Sequence, residues 1–254
     1  MISAAVLISI MPLTSRAGIR IISDIDDTTK IAHISSAPVA TWNALFSSAA
    51  FAGMSELYRS MVGPRDYSIA YLTGAPILLR SNIENFLSRN NFPDGELFIR
   101  NFLFDENLLA FKKRIILEQM KAHPEDDFIF IGDDTQGDFI AYDETFQAES
   151  DRILAIYIRS VSGRPVPPSA FGFTTAYDLV RTEYAMNRFT VAEAAPIAHA
   201  ILSESIDGQI IPAYTHCPAP FVREFSMTKI EEWGALIDKR VEKICEGRSQ
   251  KEKN

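Results

Sequence analysis

Short apolar runs along this chain end abruptly in acid or in Thr-Gly. Residues 18–23 read Gly-Ile-Arg-Ile-Ile-Ser and give way to Asp24, Asp26 and Asp27. Residues 67–72 end in Thr73-Gly74, and residues 128–131 end in Gly132-Asp133-Asp134. Residues 153–158 form a fourth run and residues 96–99 a shorter fifth. Runs of this length and composition predict buried strands. Between them, residues 76–89 carry Ile77, Leu78, Ile83, Phe86 and Leu87 in a helical pattern. Residues 111–121 do the same with Ile115, Ile116 and Met120. Short strands alternating with amphipathic helices predict an α/β fold, a central parallel sheet with helices on both faces. In such sheets ligands bind beyond the carboxyl ends of the strands. Three of the strands end there in Asp or Thr, so one crevice would collect them.

The rest of the pattern divides the chain. Residues 18–164 hold the alternation and form the expected catalytic domain. Residues 30–66 interrupt it after the first strand and read as a small, mostly helical insertion over the crevice. Its Trp42, Phe46, Phe51, Met54 and Leu57 suit either packing or a port for an acyl chain. A proline-rich hinge, Arg164-Pro-Val-Pro-Pro168, precedes residues 165–246, read as a helical C-terminal extension with helices over 175–202 and 228–246. Residues 247–254 are polar and expected to be disordered. Residues 1–17 read as a signal peptide or as an N-terminal extension of the fold. The compartment therefore stays open between the cytoplasm and a secreted or periplasmic location.

Composition narrows the function. The 254 residues are 47% apolar and 23% charged, an ordinary globular balance. The formal net charge of −8 argues against a nucleic-acid partner, since phosphate backbones call for basic stripes. A small phosphorylated substrate remains compatible, because a bound cation can reverse the field inside an acidic pocket. The two cysteines, Cys217 and Cys245, can form one bridge, with two unrelated thiols the expected case. Nothing in the sequence speaks to the oligomeric state.

The acids carry the candidate chemistry. Residues two apart at a strand end point to one side, so Asp24 and Asp26 would share one space. Two carboxylates that close repel unless a cation intervenes, and a hard cation such as Mg²⁺ takes carboxylate and carbonyl oxygens. A free Asp24 carboxylate can attack phosphorus, and Asp26 can protonate the leaving oxygen. Asp133 would complete the oxygen shell of the metal. Asp138 could ligate it too, or hold Asp133 or a metal-bound water, and Asp134 competes for the same place. The Thr73 hydroxyl suits a phosphate oxygen, although a threonine capping the next helix is the commoner case. Lys112 or Lys113 would supply the balancing cation, and motif spacing favours Lys112. His33 lies close enough to the crevice to touch a substrate or to stay at the surface.

Asp-x-Asp-x-Thr, then Thr-Gly, then Lys, then Gly-Asp-x₄-Asp resembles the four-part signature of the haloacid dehalogenase superfamily. A narrower likeness lies in Ser23-Asp-Ile-Asp-Asp-Thr-x-Lys30, Gly53-Met-x-Glu-Leu-Tyr58, Tyr71-Leu-Thr-Gly-Ala-Pro76 and Phe92-Pro-x-Gly-x-Leu97. Gly132-Asp-x₄-Asp138 and Ala155-Ile-Tyr-Ile-Arg159 extend it. Together these resemble the family of actin-patch-associated phosphatidate phosphatases over about residues 18–161. The resemblance implies a Rossmann-like fold and a Mg²⁺-dependent phosphatase acting on a phosphate ester, with phosphatidate at a membrane surface the leading candidate. It also implies Asp24 as nucleophile, Asp26 as acid and base, Thr73 and Lys112 as phosphate binders, and Asp133 as a metal ligand. Thr29 stands where the family has Val or Ile, and residues 134–137 depart from its Ser-Gly-Glu-His-like stretch. Both changes bear on substrate choice more than on chemistry.

Overall fold

A computed structural model describes residues 18–33, 48–63, 65, 67–105, 107–219 and 228–251. Six strands form one parallel sheet: β1 (Ile19–Asp24), β2 (Tyr67–Pro76), β3 (Glu96–Arg100), β4 (Asp127–Asp133), β5 (Ile153–Arg159) and β6 (Phe171–Phe173). Their spatial order is β3-β2-β1-β4-β5-β6. Strand order reverses direction between β1 and β4, which in open α/β sheets is where the ligand crevice opens.

Residue period two sorts the strand side chains onto two faces. Ile21, Ile69, Tyr71, Ile129, Ile131, Ala155 and Tyr157 enter one apolar cluster. Their neighbours Ile22, Ala70, Leu72, Phe128, Phe130, Ile156 and Ile158 enter the other. Both faces are apolar because both are covered, so these strands read as continuous hydrophobic runs. The first face is covered by α1 (Met54–Val62), α2 (Arg80–Arg89), α5 (Ala176–Ala185), α6 (Val191–Ser203) and α8 (Lys229–Lys251), with the single turn α7 (Asp207–Ile210) beside them. The second face is covered by α3 (Leu108–Ala122) and α4 (Asp138–Glu149). Thr190 and Glu193 start α6 with a reciprocal capping box.

Several expectations change at this level. Residues 165–246 form the expected, mostly helical C-terminal part, and they build into the same core. They supply β6 at the sheet edge, and α5, α6 and α8 share a core with β1, β2, β4 and β5. Within the described part of residues 30–66, the helix packs on the sheet. Met54, Leu57, Tyr58 and Met61 on α1 are fully buried in the first face, as is Phe51 just before it. Trp42 and Phe46, like residues 1–17, lie outside the described residues. The polar stretch from Gly247 is helical as far as Lys251, because it continues α8. Cys217 and Cys245 are not unrelated thiols but form a disulfide that ties the segment before α8 to that helix. Among the described residues no helix is long and apolar enough to cross a membrane.

Candidate active site

Five elements converge at the carboxyl end of the sheet. Asp24 is the last residue of β1, Thr73 lies in the distal part of β2, and Asp133 ends β4. Lys112 stands in the first turns of α3, and Asp138 is the first residue of α4. The β4–α4 connection fits because Gly132 has no side chain. A Cβ there would come within 2.6 Å of the Asp138 Cβ and 2.8 Å of the Tyr142 ring. Gly137, at φ 87°, supplies the left-handed turn that starts α4.

Lys112 binds this arrangement together. Its Nζ donates to Asp24 Oδ1 at 2.8 Å and to Asp138 Oδ1 at 2.5 Å, and all three side chains are buried. Asp24, Asp133 and Asp138 each offer a carboxylate oxygen within 4.8 Å of the others. Asp24 Oδ2 and Asp138 Oδ2 are buried with no hydrogen-bond partner. Idle buried carboxylate oxygens facing one another are costly unless a cation joins them. Three acids against one ammonium leave the group short of positive charge, and hard oxygen donors are what a small divalent cation takes. The donor set therefore fits such an ion.

The same imbalance sets the protonation. Burial raises the Asp24 carboxyl well above the usual range, against the pull of Lys112 and with help from Asp138 and Asp133. Asp133 is pushed up to about 8, by burial first and then by Asp138, although Thr135 donates to it through both its N–H and its hydroxyl. For Lys112 burial alone would favour the neutral amine. Asp138 and Asp24 outweigh it and hold the ammonium charged.

Asp26 does not join the three-acid group. β1 ends at Asp24, so the period of two no longer governs the next side chains. The loop folds back on itself, with the N–H groups of Thr29 and Lys30 both donating to the Ile25 carbonyl. The Asp26 carboxylate accepts from Thr73 Oγ1 at 3.0 Å and faces Lys30 Nζ at 3.7 Å. Burial raises its pKa, against Lys30 and Thr73. Thr73 thus orients Asp26, while its own oxygen accepts from the Ala75 N–H. Lys113 is half-exposed and pairs with Glu144 on the outside of α4, so of the two candidates Lys112 reaches the acids.

Two further acids hold loops. Asp27 Oδ1 accepts from the N–H groups of Ala32 and His33 and from the Tyr214 hydroxyl, and the His33 ring stacks on Tyr214 at 4.0 Å. The Asp134 carboxylate accepts from the N–H groups of Val161, Ser162 and Arg164. Three other residues support the site without having been assigned a role from sequence. Lys30 faces Asp26, and Tyr58 meets the Ser23 hydroxyl beside Asp24. Arg159, buried against the Phe51 ring, donates to the Thr28 carbonyl, and burial lowers its pKa to about 10. All three stood inside the motifs of the family resemblance, which was the only signal for them.

Known proteins share this stretch. The catalytic domain of phosphatidate phosphatase APP1, as a family, matches residues 19–160. Phosphatidate phosphatase APP1 of Saccharomyces cerevisiae is 29% identical over 155 residues, covering 57% of this chain and 26% of that protein. An uncharacterized protein of Schizosaccharomyces pombe is 27% identical over 161 residues, covering 59% and 26%. The chain thus spans about a quarter of the length of the curated relatives it matches. Among solved structures, a class C acid phosphatase from Bacillus anthracis with tungstate bound aligns with a TM-score of 0.38 and 15% identity, over 72% of this chain and 78% of that one. The family match takes in more than half of the 254 residues, and the chain belongs to the family of the phosphatidate phosphatase APP1 catalytic domain.

Proposed function

We propose that this protein is a Mg²⁺-dependent phosphatase of the haloacid dehalogenase type that cleaves a phosphate monoester, with phosphatidate the leading substrate. The carrying observation is the state of Asp24. One carboxylate oxygen is held by Lys112, and the other is buried, idle and at the mouth of the strand-order reversal. A nucleophile needs this: a fixed direction and an uncommitted lone pair. In-line attack by Asp24 on phosphorus breaks the bond to the leaving oxygen and gives an aspartyl-phosphate. Asp26, whose buried carboxyl favours the protonated form, gives its proton to the leaving oxygen and then takes one from the water that hydrolyses the intermediate. Thr73 and Lys30 hold Asp26 for both transfers. Lys112 steers Asp24 and lies beside the charge that develops on the transferring group. Asp24, Asp133 and Asp138 would hold the Mg²⁺, with the Asp26 carbonyl a further ligand. The ion's chemistry when bound is charge neutralisation around the transferring phosphate.

Phosphate release from p-nitrophenyl phosphate, with and without Mg²⁺, tests the reaction. Chelation should stop turnover, added Mg²⁺ should restore it, and Ca²⁺, with its larger and looser shell, should inhibit. Inactivity on a broad panel of lipid and soluble phosphate esters would leave a binding module as the reading. Phosphatidate in mixed micelles against glycerol 3-phosphate tests the substrate. Equal rates would remove the lipid and leave the phosphatase standing.

A further inference from the structure

The loop that follows β1 keeps a backbone that few side chains adopt. Asp27 stands at φ 59° and His33 at φ 55°, both in the left-handed region. Asp and His tolerate it better than most residues, yet a non-glycine there persists only where its surroundings over-determine it. Here one carboxylate does so. Asp27 Oδ1 accepts from the Ala32 N–H at 3.0 Å and from the His33 N–H at 2.7 Å, which closes residues 27–33 on themselves. Lys30 lies within that closed loop and faces Asp26, the residue before Asp27. The shape of the loop therefore sets where both the Asp26 carboxylate and its cation stand.

Those two N–H groups belong to the loop itself, so they fix its shape and not its place. Two side chains from elsewhere grip the residues directly after Asp26. Arg159 donates to the Thr28 carbonyl at 3.0 Å, and the Tyr214 hydroxyl donates to Asp27 Oδ1 at 2.6 Å. Burial, and then the charge of Asp27, push the Tyr214 pKa up, so the phenol keeps its proton and remains the donor. Tyr214 is itself well anchored. It sits in a turn closed by the Thr215 N–H on the Pro212 carbonyl at 3.0 Å. Arg248 of α8 donates to the carbonyls of Ile211 and Thr215, on either side of it. The His216 N–H donates to the Val161 carbonyl, and the Cys217–Cys245 disulfide ties the segment to α8. The His33 ring lies against the phenol and limits its swing. A side chain braced on so many sides passes its position on to the group that it holds.

We propose that Tyr214 is a positioning residue of the phosphatase reaction, fixing through Asp27 the direction in which Asp26 meets the leaving oxygen. Tyr214 lies beyond residues 19–160, so the C-terminal part takes a share in a reaction whose other groups come from the family's own stretch. The proposal rests on Asp26 as the acid. Tyr214→Phe removes one oxygen, keeps the ring on His33 and leaves no buried charge behind.

Two aryl esters read the acid directly. The nitro group of p-nitrophenyl phosphate stabilises its leaving anion, which departs with little help. Phenyl phosphate leaves a phenolate as basic as a tyrosine side chain, of pKa about 10, and needs the proton. The ratio of kcat/KM for the two esters on one preparation does not depend on how much of the enzyme is folded. A well-placed acid is worth about 10²–10⁴ in rate, so Tyr214→Phe should lower the phenyl-to-nitrophenyl ratio by about tenfold, mostly through phenyl phosphate. Asp26→Asn, measured beside it, should lower the same ratio at least as far. Tyr184→Phe, which removes a phenol oxygen on α5, should leave the ratio unchanged. If Tyr214→Phe keeps the wild-type ratio, whether its rates hold or fall alike on both esters, Tyr214 is only a prop and the proposal fails. The acid then still stands where Asp26→Asn has lowered the ratio. A fall in Tyr184→Phe as deep as in Tyr214→Phe overturns the proposal too. A ratio that Asp26→Asn leaves unmoved removes Asp26 as the acid, and the proposal with it.

Discussion

The end of β1 with the turn after it, and the end of β4 with the turn into α4, each carry three acids and divide them alike. In the first, Asp27 is spent on backbone and on Tyr214. In the second, Asp134 is spent on three N–H groups of the loop after β5. Asp24 and Asp138, by contrast, each keep one buried oxygen with no hydrogen-bond partner. All four side chains are buried, so burial does not separate them. Lone pairs do. An acid whose oxygens accept fixed N–H donors is architecture, while one held on a single oxygen can still do chemistry.

The contrast breaks most sharply at Asp24. Asp24→Asn keeps the shape and the Lys112 contact but removes the attacking charge, and phosphate release should fall by on the order of 10³-fold or more. The melting temperature should hold or rise, because an overcrowded buried anion is gone. Activity near wild type would sink the nucleophile. Asp134→Ala should do the opposite. Three N–H groups lose a charged acceptor, so the protein should lose about 3 kcal/mol in denaturant unfolding. Turnover per folded molecule should fall far less than in Asp24→Asn, and equal losses in both would erase the distinction.

Protonation offers a third test. The folded Asp133 carboxyl titrates near 8, above the ordinary value of 3.8, and Asp24 is raised as well. The native state therefore binds more protons than the unfolded chain between those values. Metal-free stability should fall as pH rises from about 4 to about 8. A cation binds the deprotonated acids, so Mg²⁺ should raise the melting temperature more at pH 8 than at pH 5. Saturation at a hundredfold excess over Kd contributes about 2.7 kcal/mol. A Mg²⁺ effect independent of pH would separate the cation from these acids. The smallest effect belongs to Asp27→Asn, which keeps an acceptor oxygen for Ala32, His33 and Tyr214 but loses its charge. About 1 kcal/mol of stability should go, with little change in turnover.

Much of this was legible because strand ends announce themselves. Apolar runs stopping at Asp24, Thr73 and Asp133 placed these side chains toward one end of the sheet, and β1 to β5 fall where the runs lie. What failed to show was direction and division of labour. Nothing local distinguishes Asp133 from Asp134, since the three donors to Asp134 come from residues 161–164. The pairing of Asp26 with Thr73 depends on β1 ending at Asp24, a boundary that alternation does not mark. β6 has only three residues, too few for a pattern. The helices after residue 175 gave no sign of the core they share, because amphipathicity says that a face is buried, not against what. The Cys217–Cys245 pairing depends on how the segment after α7 packs against α8, which no spacing reveals.

Strand order also shapes the way this molecule is made. β1 is made before either of its sheet neighbours, and Ile19 must find Tyr67 on one side and the more distant Asp127 on the other. Pairing across such separations closes long loops before it gains contacts, which slows folding and leaves β1 without its central neighbour until β4 arrives. The three acids that fit a cation come from β1, β4 and α4, so the ion has no complete seat in a half-formed chain. Mg²⁺ should therefore leave the refolding limb of a chevron nearly unmoved and slow the unfolding limb. Its contribution is persistence of the native state rather than haste in reaching it.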